Sequence, residues 1–199
     1  MKYIIILALF IITINCKAQD PIVGLHETRT YGIPNGIYYK DIDGDLDKYV
    51  GTWKYTNGTT SLTITFRKIL QYYNGKWYAD KLIGDYKYIQ NGVVIMNYLS
   101  RMNDPTVNNA QHYIKGNRII YPFQVVDCDN CSHMERRIEL YFSDPLRKYL
   151  SQGLVIRHIN ANGTEKIQAN IRLEDLRLAP EGTNLEPRIP FGNYTLIKQ

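Results

Sequence analysis

Three Asn-Gly dipeptides, at residues 57–58, 74–75 and 91–92, recur at intervals of 17 residues. Asn-Gly suits the positive φ angles of a two-residue type I′ turn, so each one reverses an extended chain. The arms between them alternate. Before the first turn Tyr49, Gly51, Trp53 and Tyr55 share one face, and after it Leu62, Ile64 and Phe66 repeat the pattern. Equal reversals with a two-residue period describe an antiparallel meander, and arms this long must bend or curl. Pairing outward from Asn74-Gly75 sets Tyr72 against Trp77 and Leu70 against Ala79, and in the same register Ile64 meets Asp85. One extra residue near Gly84 would place Ile64 opposite Tyr86 and Leu62 opposite Tyr88, so a bulge is predicted there.

The later chain keeps the rhythm. Residues 93–99 read as a strand and residues 101–111, with Pro105, as a loop at a rim. Gly116-Asn117 reads as a turn between residues 113–114 and 118–126. In residues 137–142, Ile138, Leu140 and Phe142 alternate with Arg137, Glu139 and Tyr141. Residues 143–153 interrupt this: Asp144 can cap, Pro145 suits a first helical position and Gly153 a C-terminal cap, so one short helix is predicted. Residues 154–160 and 166–173 flank Asn162-Gly163 as another hairpin, and residues 194–197 give a last strand. The fold class is therefore all-β: an antiparallel meander forming a closed or nearly closed barrel with one short helix. The 17 tyrosines and many Thr and Ile residues suit pleated, half-buried surfaces.

The N-terminus is set apart. Lys2 followed by the apolar residues 3–14 reads as a signal sequence, too short to remain as a span. Lipoprotein-type cleavage before Cys16 is the preferred reading, which would anchor the product to a membrane through acyl chains. Ordinary cleavage after Ala18 is the alternative. Three segments follow: the signal at 1–18, a tether and turn at 19–45, and the barrel domain at 46–199. Either cleavage leaves Cys128 and Cys131 as the pair of an oxidising compartment, and a disulfide across a loop tip is the expected state. A redox role would need a helix N-terminus at Cys128, and zinc would need two further ligands.

Several function classes find little support. The net charge is +5, one unit less without Lys2, and the basic residues are scattered, so no nucleic-acid partner is expected. Asp41, Asp43, Asp45 and Asp47 resemble the start of a calcium loop, but Leu46 stands where Gly is required and Thr52 where Glu is. No metal and no cofactor is assigned. His26, His112, His133 and His158 have no neighbouring nucleophile motif, and Glu174 and Asp175 point to opposite faces of a strand, so no catalytic residue is assigned. Tyr72, Tyr73, Trp77 and Tyr78 beside a turn could stack on a glycan or simply brace the hairpin.

Gly51-Thr52-Trp53 entering a first strand resembles the Gly-x-Trp start of the lipocalins and fatty-acid-binding proteins. Residues 16–19, 38–42, 46–53, 57–58, 62–64 and 194–199 together resemble a family of exported bacterial proteins of unknown function, over nearly the whole chain. The resemblance implies export and a lipocalin-like barrel, and it supplies no activity or ligand. The expected function is a non-catalytic binding module of the cell envelope, facing the periplasm from a lipid anchor or else secreted. Trp53, Leu62, Ile64, Phe66 and Tyr86 are the candidate lining of a cavity for a small hydrophobic ligand. Surface recognition of a glycan or protein is the alternative, and hydrolysis a more distant one.

Overall fold

In the computed structural model, residues 21–27, 35–126, 128 and 130–199 are described; the expected signal sequence and Cys16 lie outside them. In chain order the strands are β1 (Ile22–Gly24), β2 (Tyr38–Lys40), β3 (Gly51–Asn57), β4 (Thr60–Tyr73), β5 (Tyr78–Gln90), β6 (Val93–Asn97), β7 (Ile114–Ile120), β8 (Arg137–Phe142), β9 (Leu150–Ala161), β10 (Thr164–Leu176) and β11 (Gly192–Lys198). The staves run β5-β4-β3-β11-β10-β9-β8-β7 and return to β5, an eight-stranded antiparallel barrel. Helical structure among the described residues is limited to short 3-10 segments at Asp47–Tyr49, Leu99–Asn103 and Asn109–Gln111.

Strand β5 carries more than one stave's share of pairing. Its one edge runs along β4, while its other edge pairs in turn with β2 in parallel, with β7, and with β6. Closure therefore rests on three residue pairs, Leu82↔Gly116, Ile83↔Lys115 and Gly84↔Ile114. Strand β6 is a flap on β5 rather than a stave, which departs from a simple meander. Part of the segment expected as a tether is incorporated into the sheet: β1 pairs with β2, and Leu25, Ile37 and Tyr39 join the core.

The predicted core register is present, with Ile64 opposite Tyr86 and Leu62 opposite Tyr88, but the bulge is elsewhere. It lies in β4, where Leu70 and Gln71 together face Asp80, and Gln71 takes a positive φ of 49°. The Asn74-Gly75 turn is also wider than expected, because Asn74 Oδ1 accepts from the backbone N–H groups of Lys76 and Trp77 and spreads the loop over four residues. Tyr72 consequently pairs with Ala79. Gly84 has a different reason to be glycine: a Cβ there would lie 2.8 Å from both the Phe66 ring and the Thr65 carbonyl oxygen.

Two further expectations are corrected. Gly116-Asn117 is not a hairpin turn but an irregularity inside the continuous strand β7. No helix forms at 143–153. Asp144 caps only the N–H of Leu146, and its carboxylate is drawn into a buried pair with Arg188. Leu150 onward is extended because β8 and β10 satisfy both edges of β9. Asn91-Gly92 and Asn162-Gly163 do form the expected turns, with φ of 50° and 79°, and 52° and 77°.

Asp80, 1% exposed, ties these features together. Its Oδ1 accepts from Tyr38 Oη (2.6 Å) and from the N–H of the bulge residue Gln71 (3.0 Å), and its Oδ2 accepts from Asp41 N (2.9 Å). Its carbonyl accepts from the Asn117 side chain (2.8 Å). Burial, followed by the Asp80 hydrogen bond, raises the Tyr38 phenol well above its ordinary range. Replacing Asp80 with Ala leaves three donors unpaired, and we expect a loss on the order of 3 kcal/mol in urea unfolding. Tyr38→Phe removes one donor and should cost about 1 kcal/mol. Equal, small effects of both would overturn this assignment.

Candidate functional site

Inside the barrel the expected cavity residues are part of the packing. Trp53, Leu62, Ile64, Phe66 and Tyr86 are each at most 2% exposed and belong to one contiguous core with Tyr49, Ile156 and Phe142. The Tyr86 and Phe142 rings stack at 4.7 Å, Trp53 Nε1 donates to the Tyr49 carbonyl at 2.8 Å, and Tyr49 Oη donates to the Ile156 carbonyl at 3.2 Å. The clefts described next open instead on the outside, and none is lined by these five residues.

The two-residue period that turns Ile138, Ile156, Ile167 and Leu196 inward turns their neighbours outward, and cross-strand register sets those neighbours side by side. Gln168 lies beside Arg157 and Thr195, and Asn170 beside Val155 and Asn193. Over this face passes the loop at 121–136, which contains the Cys128–Cys131 disulfide, with Cα atoms 5.5 Å apart. Two arginines hold the loop. Arg137 donates to the carbonyls of Tyr121, Pro122, Gln124 and Val126, the last at 2.6 Å. Arg157 grips both oxygens of Glu135, at 2.6 and 3.0 Å, and reaches the Asn130 carbonyl and the Gln168 amide oxygen.

Between loop and strands lies a cleft of about 270 Å³ whose lining includes Asn130, Arg157, Gln168, Asn170, Asn193 and Thr195, with Val155 and Cys128 as apolar wall. Its chemistry is that of amides and a hydroxyl. Glu135 neutralises Arg157, and that same guanidinium holds the Glu135 carboxyl below the usual range. The Arg137 guanidinium also borders the cleft, donating to the loop carbonyls, so the surface combines paired amide donors and acceptors with guanidinium donors, which suits a hydroxyl-rich ligand.

The remaining sequence candidates have structural partners. Asp41 accepts from the N–H groups of Asp45 and Leu46 and pairs with Lys68, Asp43 and Asp45 hold Arg136, and Asp47 holds Lys68. Among the described residues no cluster of His, Cys, Asp or Glu is suited to a metal ion. Tyr73 and Tyr78 form a cross-strand ring pair at 4.9 Å, Trp77 packs edge-on against Tyr39, and Lys81 sits over Tyr72, so the aromatic group braces its hairpin. His26 lies 3.1 Å from Asp43, the His133 ring packs on Phe123, and the His158 ring packs against Trp53 and bonds Glu165. His112 differs: it is buried, its Nδ1 is 2.6 Å from Asp85, and its Nε2 has no hydrogen-bond partner. Glu174 sits at a register shift in β10, its carboxyl over Gly153 and bonded to Arg172.

The Glu135–Arg157 pair predicts an acid response. A carboxyl with a lowered folded pKa stabilises above its unfolded value, about 4.3, and the contribution is lost as pH falls through the lower folded value. Loop amide protection in hydrogen exchange should therefore persist at pH 5 and fall away as pH drops below the unfolded value of about 4.3 and through the lower folded one. Glu135→Gln should loosen the loop at neutral pH while lowering global stability by about 1 kcal/mol. Unchanged loop exchange in this variant would show that Arg157 does not hold the loop through Glu135.

No curated protein and no solved structure matches the chain. The model of a family of unknown function, DUF6705, matches residues 1–199, and the chain belongs to that family.

Proposed function

We propose that this chain is an exported, non-catalytic binding module that recognises a neutral glycan in the cleft beneath the disulfide loop. The observation that carries the reading is the lining: side-chain amides and a hydroxyl from β10, β11 and the loop, beside Arg157, which Glu135 pairs, and Arg137, which donates to loop carbonyls. Hydroxyl groups pair with such a surface as donors and acceptors at once. An apolar ligand is less well served, because the residues expected to hold it are packed against one another in the core.

Export belongs to the same proposal. The apolar residues 3–14 behind Lys2 support it, and so does the disulfide, which persists where thiols are oxidised. Acylation of Cys16 would tether the barrel at the membrane surface, with the cleft facing solvent.

The test uses mature chain without acyl groups on a panel of neutral oligosaccharides, with Gln168→Ala combined with Asn193→Ala as the variant. Both positions are exposed, so stability should change by less than about 0.5 kcal/mol. We expect saturable binding by the parent chain and at least a tenfold loss in the variant. Trp77→Ala should lower stability and leave binding intact. A parent chain that binds nothing on the panel, or a variant that binds equally well, would overturn the glycan reading. For the anchor, labelled palmitate should enter the wild-type chain in its host and not Cys16→Ser.

A further inference from the structure

A second depression of about 240 Å³ opens where the 109–115 segment, the end of β8 and the turn at 143–149 meet. Its lining includes Lys115, Lys148 and Arg177, together with His112, Tyr141 and Ser143, and among the described residues it includes no carboxylate. None of the three cations forms an ion pair among the described residues; Lys115 Nζ donates to the Ala110 carbonyl at 2.5 Å. The nearby acids are committed elsewhere. Asp85 accepts from Tyr113 N and faces His112 and Arg101, while Asp144 is held by Arg188.

His112 adds a second, independent observation. It is 1% exposed, its Nδ1 is fixed by Asp85, and its Nε2 is a buried polar atom with no hydrogen-bond partner among the described residues. Buried polar atoms are nearly always hydrogen-bonded, so an unpaired one in the wall of a cleft marks a place for a ligand atom. A hydrolytic use is disfavoured by the same fact: Ser143 shares the cleft, yet His112 makes no hydrogen bond to it and does not activate it.

We propose that this cleft binds a small dianion of the phosphate-monoester type, with Lys115, Lys148 and Arg177 around its oxygens and His112 Nε2 as the buried hydrogen-bond partner. Three cations lining one cleft, with no ion pair among the described residues, favour a doubly charged group over a carboxylate. Nε2 can accept from a protonated phosphate oxygen or, in the imidazolium form, donate to an unprotonated one. The phosphate could belong to a soluble ester or to a lipid headgroup, and the chemistry of the cleft is the same for both.

The experiment titrates full-length mature chain with inorganic phosphate, glycerol 3-phosphate, acetate, and vesicles with and without phosphatidic acid, at about 0.15 M salt to screen weak surface attraction. We expect saturable binding of phosphate or its ester at least tenfold tighter than acetate. Combining Lys148→Glu with Arg177→Glu, both at exposed positions, should weaken it at least tenfold with an unchanged thermal midpoint. In ¹⁵N spectra of the wild type, the His112 Nε2 resonance should move with saturation. Tighter binding of the soluble ester assigns a free metabolite, and tighter binding of phosphatidate vesicles assigns a headgroup. No saturable phosphate binding, equal binding by the double variant, or an unmoved His112 signal would each overturn the proposal.

Discussion

The buried carboxylate of Asp80 is the contact on which the arrangement of the first half of the chain depends. A long strand pairing across a bulge needs the unpaired N–H of the extra residue satisfied, and Asp80 supplies that acceptor to Gln71. The same group fastens β2 through Tyr38 and the acidic turn through Asp41, while its backbone carbonyl meets Asn117 of β7. One residue thus connects the register of β4 against β5, the docking of the N-terminal segment and the seam of the barrel. A hydrophobic residue at this position would fit the burial and keep the bond from Asn117, but it would strand the Tyr38 hydroxyl and the N–H groups of Gln71 and Asp41.

Much of this architecture was legible in the chain, because period and turn chemistry act locally. The alternation around Trp53 and Leu62 and the Asn-Gly pairs at 91 and 162 specify strands and reversals with little help from tertiary structure. The failures share a cause. Gly84 signalled an irregularity, but its reason is the Phe66 ring lying against it, a contact between strands that one strand does not reveal. Asp144-Pro145 carries the signature of a helix start, yet Arg188, far along the sequence, claims the carboxylate. Gly116-Asn117 looked like a reversal and instead lies within a stave that must reach across β8.

The outer-face clefts were not legible for a related reason. Each gathers alternate residues from several strands plus a loop, and such residues read individually as an ordinary wet face. Gln168, Asn193 and Asn130 acquire meaning only when register and the disulfide loop bring them together. The residues expected to face the interior, Trp53, Leu62, Ile64, Phe66 and Tyr86, are buried there in one contiguous core, with the Tyr86 and Phe142 rings stacked. On the proposed reading, recognition falls to loops carried on the outside of a rigid interior.

The order of the staves places a condition on when the barrel can exist. Strand β3, near the start of the domain, closes against β11 through Ile197↔Lys54 and Lys198↔Trp53, and Gln199 N then donates to the Thr52 carbonyl. A chain that emerges from its N-terminus therefore cannot complete the ring until β11 has emerged. Until then the edges of β3 and β10 are unpaired and the molecule stays pliable enough to thread. Loss of β11 would act on the whole ring, since it alone among the described strands bridges β10 and β3.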